Sequence, residues 1–252
     1  MISVFISLLA YIFAFFSFLL KNFSKKEIKF LPNFFLTLGF IFYILTLLER
    51  FVQTKTFPVG DVYGMISLVG NLSVLLFLTF SRKYEFSPFG AFVSFFAFLS
   101  TLLLIPSKEL GFSNPLYALH ITSAGFSYAF LIFAGFTSTA RLLIERKLRE
   151  KKVDFSFAPL KILKKLERVF IIAGFVGLTL TLIFGSLWAK VYLGTHWVND
   201  PKLLVTLILW LYYGFLAHMF IFKHFKPSQI SYLSILGMFL SLIALLFFRH
   251  SF

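Results

Sequence analysis

The sequence contains no cysteine. The chain can therefore form no disulfide and has no thiol chemistry of its own, which excludes a thiol oxidoreductase. Charged residues are also scarce: they make up 13% of the chain, against 59% hydrophobic residues and a mean hydropathy of +0.90. A soluble domain of this composition would leave far too much apolar surface in water. The composition therefore indicates a membrane protein.

Apolar runs of about 20 residues recur along the chain, each long enough to cross a hydrocarbon core of about 30 Å. The expected fold is an all-α, polytopic membrane helix bundle with about eight transmembrane helices, forming a single integral membrane domain over residues 1–252. The first run lacks a basic start and a small-residue cleavage site, so we expect a retained span rather than a signal peptide. The predicted spans are about Ile2–Leu20, Phe30–Leu48, Val62–Phe80, Pro88–Ile105, Leu116–Leu143, Val169–Leu187, Leu203–Phe222 and Ile230–Phe248.

Acidic residues are few, 10 against 24 Lys and Arg. The basic residues fall mostly in every second gap between apolar runs, which argues against nucleic-acid binding and predicts that both termini lie outside. The largest basic block, Arg141 to Arg168, holds ten basic and four acidic residues and is predicted to be cytoplasmic. Its spacing, with Arg141, Glu145 and Arg149 four residues apart, predicts that the fifth span continues as a solvated helix.

One polar, aromatic stretch separates two long apolar runs, and we name residues 185–202 the Trp-rich segment. The predicted topology puts it on the outer membrane surface. We interpret it as a wall for the flat face of a haem, with Lys190 and Lys202 pairing with the haem propionates; the alternative is an ordinary interfacial aromatic belt. Asp200, just before Pro201, is predicted to cap the seventh span. The residues with polar or aromatic chemistry in the segment are Trp188, Lys190, Tyr192, His196, Trp197, Asp200 and Lys202.

Three histidines are candidate ligands of a haem iron. The topology places His120 and His250 on the same face as the Trp-rich segment, which suits bis-His ligation, although His250 could instead belong to a solvated tail. His218 lies 18 residues beyond Asp200, about 27 Å along a helix, near the cytoplasmic end of its span. It is either an inner haem ligand or an imidazole hydrogen-bonded within the bundle. His224 is predicted to be a solvated loop residue.

At these residues the chain resembles the cytochrome c assembly family of haem-handling membrane proteins, of the CcsA, ResC and CcmC type with a HemX-like branch. Gly185-Ser186-Leu187-Trp188-Ala189 resembles the family's G-x-x-W-A, and residues 194–203 resemble G-x-[YF]-W-x-W-D-P-K-E. The resemblance covers roughly residues 55–252. It includes Leu119-His120 with Ser127-Tyr128-Ala129, His218, His250-Ser251-Phe252 and, as a weaker echo, Asp61-Val62-Tyr63-Gly64. The departures are His196 for Tyr or Phe, Asn199 for Trp and Leu203 for Glu.

The resemblance implies delivery of haem b across the cytoplasmic (inner) membrane, or at its outer face, to apocytochrome c outside. It also implies a partner of the CcsB or ResB type. No self-contained catalytic site is visible, so any enzymatic role would belong to a haem-attachment complex. A HemX-like membrane regulator or scaffold of haem synthesis, acting through the basic block, is the alternative. A small-solute transporter is disfavoured because the spans lack paired acidic residues and a clear inverted repeat.

Overall fold

The computed structural model of the chain describes residues 2–23, 30–55, 60–81, 87–107, 114–151, 159–222 and 225–247. Over these residues the regular structure is entirely helical, as predicted. The helices are α1 (Ile2–Phe23), α2 (Leu31–Thr54), α3 (Val62–Ser81), α4 (Ser87–Leu102), α5 (Pro115–Arg149), α6 (Leu160–Leu193), α7 (Pro201–Met219) and α8 (Pro227–Phe247).

Seven of these eight helices in the described part of the chain are long and apolar enough to cross a membrane. The helix α4 has 16 residues, about 24 Å, and is the short one. The helices α5 and α6, with 35 and 34 residues, are each about 50 Å long and exceed the hydrocarbon thickness of about 30 Å. The prediction of a polytopic membrane helix bundle is confirmed; the orientation of its termini stays a prediction.

The chain forms two compact units, residues 1–113 and 114–252. In the first unit α1 packs against α2 and α4, and α3 packs against α4. A buried polar network crosses this unit: the Tyr11 hydroxyl donates to Oδ1 of Asn71 at 2.5 Å, and Nδ2 of Asn71 donates to Oγ1 of Thr101 at 2.9 Å. These hydrogen bonds satisfy buried polar groups that cannot bond to water within a membrane. The expectation of one integral membrane domain stays a prediction.

The helix α5 is the central helix of the second unit, because it packs against both α6 and α8. Its middle is rich in small residues, which let helices approach closely in lipid. The hydroxyl of Ser127 donates to the carbonyl oxygen of Gly174 on α6 at 2.7 Å. On the other side, a Cβ atom on Gly135 would come within 2.4 Å of Cβ of Met238 on α8. Gly135 and Gly174 therefore set the distances from α5 to α8 and to α6.

The helix α7 packs against α6 and α8. The indole of Trp210 stacks on Phe175, with ring centroids 5.7 Å apart, and its Nε1 donates to Oγ1 of Thr179 at 2.8 Å. The hydroxyl of Tyr212 donates to the carbonyl oxygen of Leu233 on α8 at 2.6 Å. One face of α7 is thus held by ring and hydroxyl contacts, while its opposite face is exposed.

A buried ion pair holds α5, α6 and α8 together. Nη1 of Arg141 lies 2.7 Å from Oε2 of Glu167, and the two side chains are only 2% and 1% exposed. The hydroxyls of Ser138 and Ser231 donate to Oε1 of Glu167 at 2.6 and 2.5 Å. The carbonyl oxygen of Pro227, at the start of α8, accepts from Nη1 of Arg141 at 2.8 Å.

The predicted extension of α5 as a solvated helix is correct for its last turns and wrong for Arg141. The pairs Arg146–Glu150 and Arg149–Glu145 have the expected spacing, with exposed arginines and N–O distances of 2.9 and 3.0 Å. Arg141 also has its predicted neighbour, since its Nη2 lies 3.8 Å from Oε2 of Glu145, but its side chain is buried and points into the unit, where Glu167 lies across from it. The pattern of charges along one helix could not show a carboxylate contributed by another.

Candidate functional site

Both ends of the second unit can be defined by contacts. The Trp-rich end is where α5 and α7 begin and α6 and α8 end: Nδ2 of Asn114 donates to the Tyr192 hydroxyl, and Nζ of Lys202 donates to the carbonyl oxygen of Ala244 at 2.6 Å. The basic end, where α5 and α7 end and α6 and α8 begin, contains the ion pair of Arg141. The first half of the Trp-rich segment is helical, because α6 continues to Leu193.

His120 lies in the second turn of α5, packed against α6. Its Nδ1 is 2.9 Å from the carbonyl oxygen of Thr181. A carbonyl oxygen only accepts hydrogen bonds, so Nδ1 carries the proton and the lone pair is on Nε2. Histidines that ligate metals usually have this arrangement, with the second ring nitrogen donating to a carbonyl or a carboxylate.

Gly185 makes room for this imidazole. A Cβ atom on Gly185 would lie 2.9 Å from Nδ1 and 3.0 Å from Cε1 of His120. Gly185 is four residues after Thr181, whose carbonyl accepts the imidazole proton. Gly185, the first glycine of the pattern that resembles the family's, is therefore the residue of α6 against which the imidazole of His120 packs.

The imidazole and three further rings form a continuous row. Tyr117 stacks on His120 with centroids 6.3 Å apart and contacts Trp188 at 5.4 Å, and Trp188 stacks on Tyr192 at 5.5 Å. The row runs from the half-buried imidazole to the exposed ring of Tyr192. It places aromatic side chains beside the imidazole, where they can contact a planar apolar ligand.

Asn114 anchors one end of the row and was missed by the sequence analysis, as was Tyr117. Oδ1 of Asn114 accepts from the backbone nitrogens of Leu116 and Tyr117 at 2.7 and 3.4 Å and so caps α5, while Nδ2 donates to the Tyr192 hydroxyl. Two signals were present in the sequence. Asn114-Pro115 is a typical helix start, and Tyr117 precedes His120 by three residues, which puts both on one helix face.

The chain leaves α6 at Gly194, whose φ of +74° is the left-handed conformation that glycine favours. In the loop that follows, Nδ1 of His196 lies 3.2 Å from the hydroxyl of Ser186. His196 and Trp197 are both exposed, and Nζ of Lys190 donates to the carbonyl oxygen of Gly194 at 3.1 Å. The loop therefore presents an imidazole and an indole to the surroundings of the unit.

Asp200 is fully buried and caps α7, as predicted, with Oδ1 accepting from the backbone nitrogen of Leu203 at 3.1 Å. Lys202 lies in the first turn of α7, and its ammonium group is 5.6 Å from the ring centroid of Tyr128. Because Lys202 also binds Ala244, it joins the end of α8 to the start of α7. His250 lies outside the described residues, as does His224.

His218 is far from this group. It occupies the last turn of α7, whereas Asp200 caps the first turn, so about 27 Å of helix separates them. Its Nδ1 is 2.7 Å from the carbonyl oxygen of Gly214, and the side chain is exposed on the same face as Leu211 and Phe215. The structure thus brings His120 and Trp188 together and leaves His218 at the basic end.

Among the described residues, no group of three or more His, Asp or Glu side chains could hold a bare metal ion. A haem needs less, since its macrocycle supplies four iron ligands and the protein supplies axial ones. An imidazole with its Nδ1 proton fixed, beside a row of aromatic rings, fits such a group.

Comparison with known proteins identifies the family of the chain. A family model described as cytochrome c assembly protein matches residues 59–252. Cytochrome c biogenesis protein CcsA of Cyanidium caldarium is 25% identical, over 87% of this chain and 87% of its own length. CcsA of Prochlorococcus marinus (strain MIT 9515) is 28% identical, over 90% of this chain and 83% of its own length.

A third relative, CcsA of Guillardia theta, is 26% identical, over 75% of this chain and 72% of its own length. No solved structure gives a significant match. The family match covers most of the chain, including α5, α6, α7 and the row of rings that they carry. The chain therefore belongs to the cytochrome c assembly protein family, as its Trp-rich segment predicts.

Proposed function

We propose that this protein binds haem b at the Trp-rich end of its second unit and presents it for attachment to apocytochrome c. The observation that carries the proposal is the hydrogen bond between Nδ1 of His120 and the carbonyl oxygen of Thr181, at 2.9 Å. It fixes the imidazole against α6 in the tautomer whose Nε2 can bind iron. Membership of the cytochrome c assembly family supports a role in cytochrome c biogenesis.

In this proposal His120 is one axial ligand and His250 is the other. Support for His250 comes from the contact of Lys202 with Ala244 in the last turn of α8, because this contact puts a residue only six positions before His250 at the Trp-rich end. Trp188 and Trp197 line the porphyrin. His196 lies between the haem and the surface of the protein. Lys190 and Lys202 are the candidate partners of the propionates, because both ammonium groups lie at this end.

The chemistry required of the protein is positioning. The apocytochrome docks beside the Trp-rich segment, and the thiols of its cysteines add to the haem vinyl groups. The exposed rings of Tyr192 and Trp197 suit such a docking surface, since aromatic residues are enriched in protein interfaces. The proposed setting is the outer face of the cytoplasmic membrane, with both termini outside and a CcsB or ResB type partner beside the unit.

His218 is proposed as a separate ligand for haem that arrives at the basic end. Its hydrogen bond to the Gly214 carbonyl again leaves the lone pair on Nε2. The residues around it on the exposed face of α7 are apolar, among them Phe215. An imidazole on an apolar, exposed helix face is unusual in a membrane span and is a functional hypothesis by default.

The visible spectrum of the purified full-length protein tests the proposal. Protein from haem-replete cells should show a Soret band, and the His120→Gly variant should lose the low-spin form of it. Added imidazole should restore that form by replacing the missing ligand. His224→Ala is the control and should match the wild type. A wild-type preparation without a Soret band, before and after addition of haem, would overturn the proposal.

A further inference from the structure

Four cations occupy one face of the first turns of α6, at the basic end of the second unit. Lys161, Lys164, Lys165 and Arg168 follow the spacing i, i+3, i+4, i+7, and all four are exposed. The opposite face of the same turns is buried, with Leu163, Leu166 and Phe170 in the interior. We propose that this cationic face of α6 binds the headgroups of anionic phospholipids.

The position of the cations relative to the rest of α6 identifies lipid as the occupant. Further along the helix, exposed apolar residues continue the same ridge at intervals of three or four: Ile172, Val176, Leu180, Ile183 and Leu187. In a membrane an exposed apolar ridge of this kind faces acyl chains. The four cations continue this ridge beyond its apolar part. They therefore lie where the acyl chains end and the lipid headgroups begin.

Neighbouring apolar side chains support a membrane surface rather than an acidic soluble protein. The guanidinium of Arg168 lies over the ring of Phe220, with Cζ 5.8 Å from the ring centroid. Ile221 and Phe222, which follow, are 68% and 56% exposed. Exposed apolar side chains beside cations are typical of segments that lie in the membrane interface.

In the part of the chain that the structure describes, no carboxylate neutralises the charges on this face. Among the described residues, none of the four cations forms an ion pair with a carboxylate, whereas Arg146 and Arg149 on α5 pair with Glu150 and Glu145. Cations near a membrane surface attract anionic lipids by roughly 1 kcal/mol each. The α6 face therefore has a net positive charge available to phosphate groups, and the end of α5 has less.

Lipid selectivity of the full-length protein tests this proposal. The protein is reconstituted in phosphatidylcholine bilayers, and the association of spin-labelled phosphatidylglycerol is compared with that of spin-labelled phosphatidylcholine. We expect the wild type to favour phosphatidylglycerol at least about fivefold, with the preference falling as salt is raised. The variant Lys161→Gln/Lys164→Gln/Lys165→Gln/Arg168→Gln should lose most of it.

The matched control removes four cations from the end of α5: Arg146→Gln/Lys147→Gln/Arg149→Gln/Lys151→Gln. It should keep the preference, because these residues are not on the apolar ridge of α6. Equal loss in both variants, loss in neither, or a wild type that does not distinguish the two lipids would overturn the proposal. Circular dichroism checks folding; if the α6 variant is not helical, Lys165→Gln alone is measured and must lower the preference. The test involves no haem, so it is independent of the proposed function.

Discussion

The imidazole of His120 and the backbone of Gly185 are in direct contact, close enough that a Cβ atom at Gly185 would lie 2.9 Å from Nδ1. This contact brings the histidine within hydrogen-bonding distance of Thr181, one helical turn earlier on α6. The imidazole proposed to bind haem can therefore occupy this position only because residue 185 has no side chain. A small change at a residue that touches no haem should alter the spectrum of the haem.

Replacing Gly185 with alanine should displace His120 and weaken its hydrogen bond to Thr181. We expect a mixture of high-spin and low-spin haem, and haem binding weakened about tenfold or more. Alanine by itself favours a helix by about 1 kcal/mol over glycine, so helix propensity predicts no loss. The measurement is haem titration followed by absorption.

Gly237→Ala is the control for Gly185→Ala. It makes the same change within α8, where the added Cβ would meet the hydroxyl of Tyr213 at 2.6 Å rather than a histidine. Its spectrum should match the wild type. Identical spectra for both variants would contradict the contact between His120 and Gly185.

Asn114 caps α5 and also donates a hydrogen bond to Tyr192, and two substitutions can separate these roles. Asn114→Ala removes the cap of α5 and the bond to Tyr192, so unfolding should become easier by about 1 kcal/mol or more. Asn114→Asp keeps the capping oxygen and removes only the amide that donates to Tyr192, so it should cost less. Denaturant unfolding measures stability, and tryptophan fluorescence measures the surroundings of Trp188. Equal losses of stability would indicate that capping is not the main role of Asn114.

The buried pair Arg141–Glu167 should be more sensitive to loss of one partner than to loss of both. Arg141→Met leaves a buried carboxylate without its counter-charge, which costs about 3–5 kcal/mol. The double variant Arg141→Met/Glu167→Leu removes both charges and should recover a large part of that stability. Unfolding in mixed micelles measures both. A double variant less stable than the sum of the two single variants would contradict this expectation.

Lys202→Met should loosen the end of α8, because the bond from Nζ to the Ala244 carbonyl is lost. A hydrogen bond to a charged group is worth about 1.5–3 kcal/mol, so amide exchange near Ala244 should accelerate about tenfold or more. Hydrogen exchange with mass spectrometry measures it. Lys190→Met is the control, since that amine is exposed and binds the Gly194 carbonyl within the Trp-rich segment. Unchanged exchange in the Lys202 variant would show that α8 does not depend on this contact.

Several features could be predicted from the sequence because they depend on neighbouring residues or on composition. The apolar runs predict the helices, since a membrane leaves the backbone no other way to satisfy its hydrogen bonds. Asp200-Pro201 predicts the start of α7, and the charges from Glu145 to Glu150 predict exposed pairs on α5. The pattern of Gly185, Trp188 and Asp200 resembles one family, to which the chain belongs.

The remaining features depend on which helices are neighbours. Tyr117 and Trp188 are 71 residues apart in the sequence, so nothing local indicates that their rings touch. The burial of Arg141 follows from Glu167 on α6 and Pro227 on α8. The bis-His ligation that pairs His120 with His250, and the roles of His196, His218 and Trp197 toward haem, stay predictions.

The amino-acid sequence by itself determined that the chain enters a membrane as helices, roughly where those helices lie, and which family it belongs to, although α6 begins at Leu160 and not at the predicted Val169. Only the tertiary structure decided that His120 rests on Gly185 with its Nδ1 proton directed at Thr181, and that Arg141 is buried. The physical reason is that hydropathy and helix capping act over a few turns, whereas contacts between helices depend on how side chains from distant segments fit together.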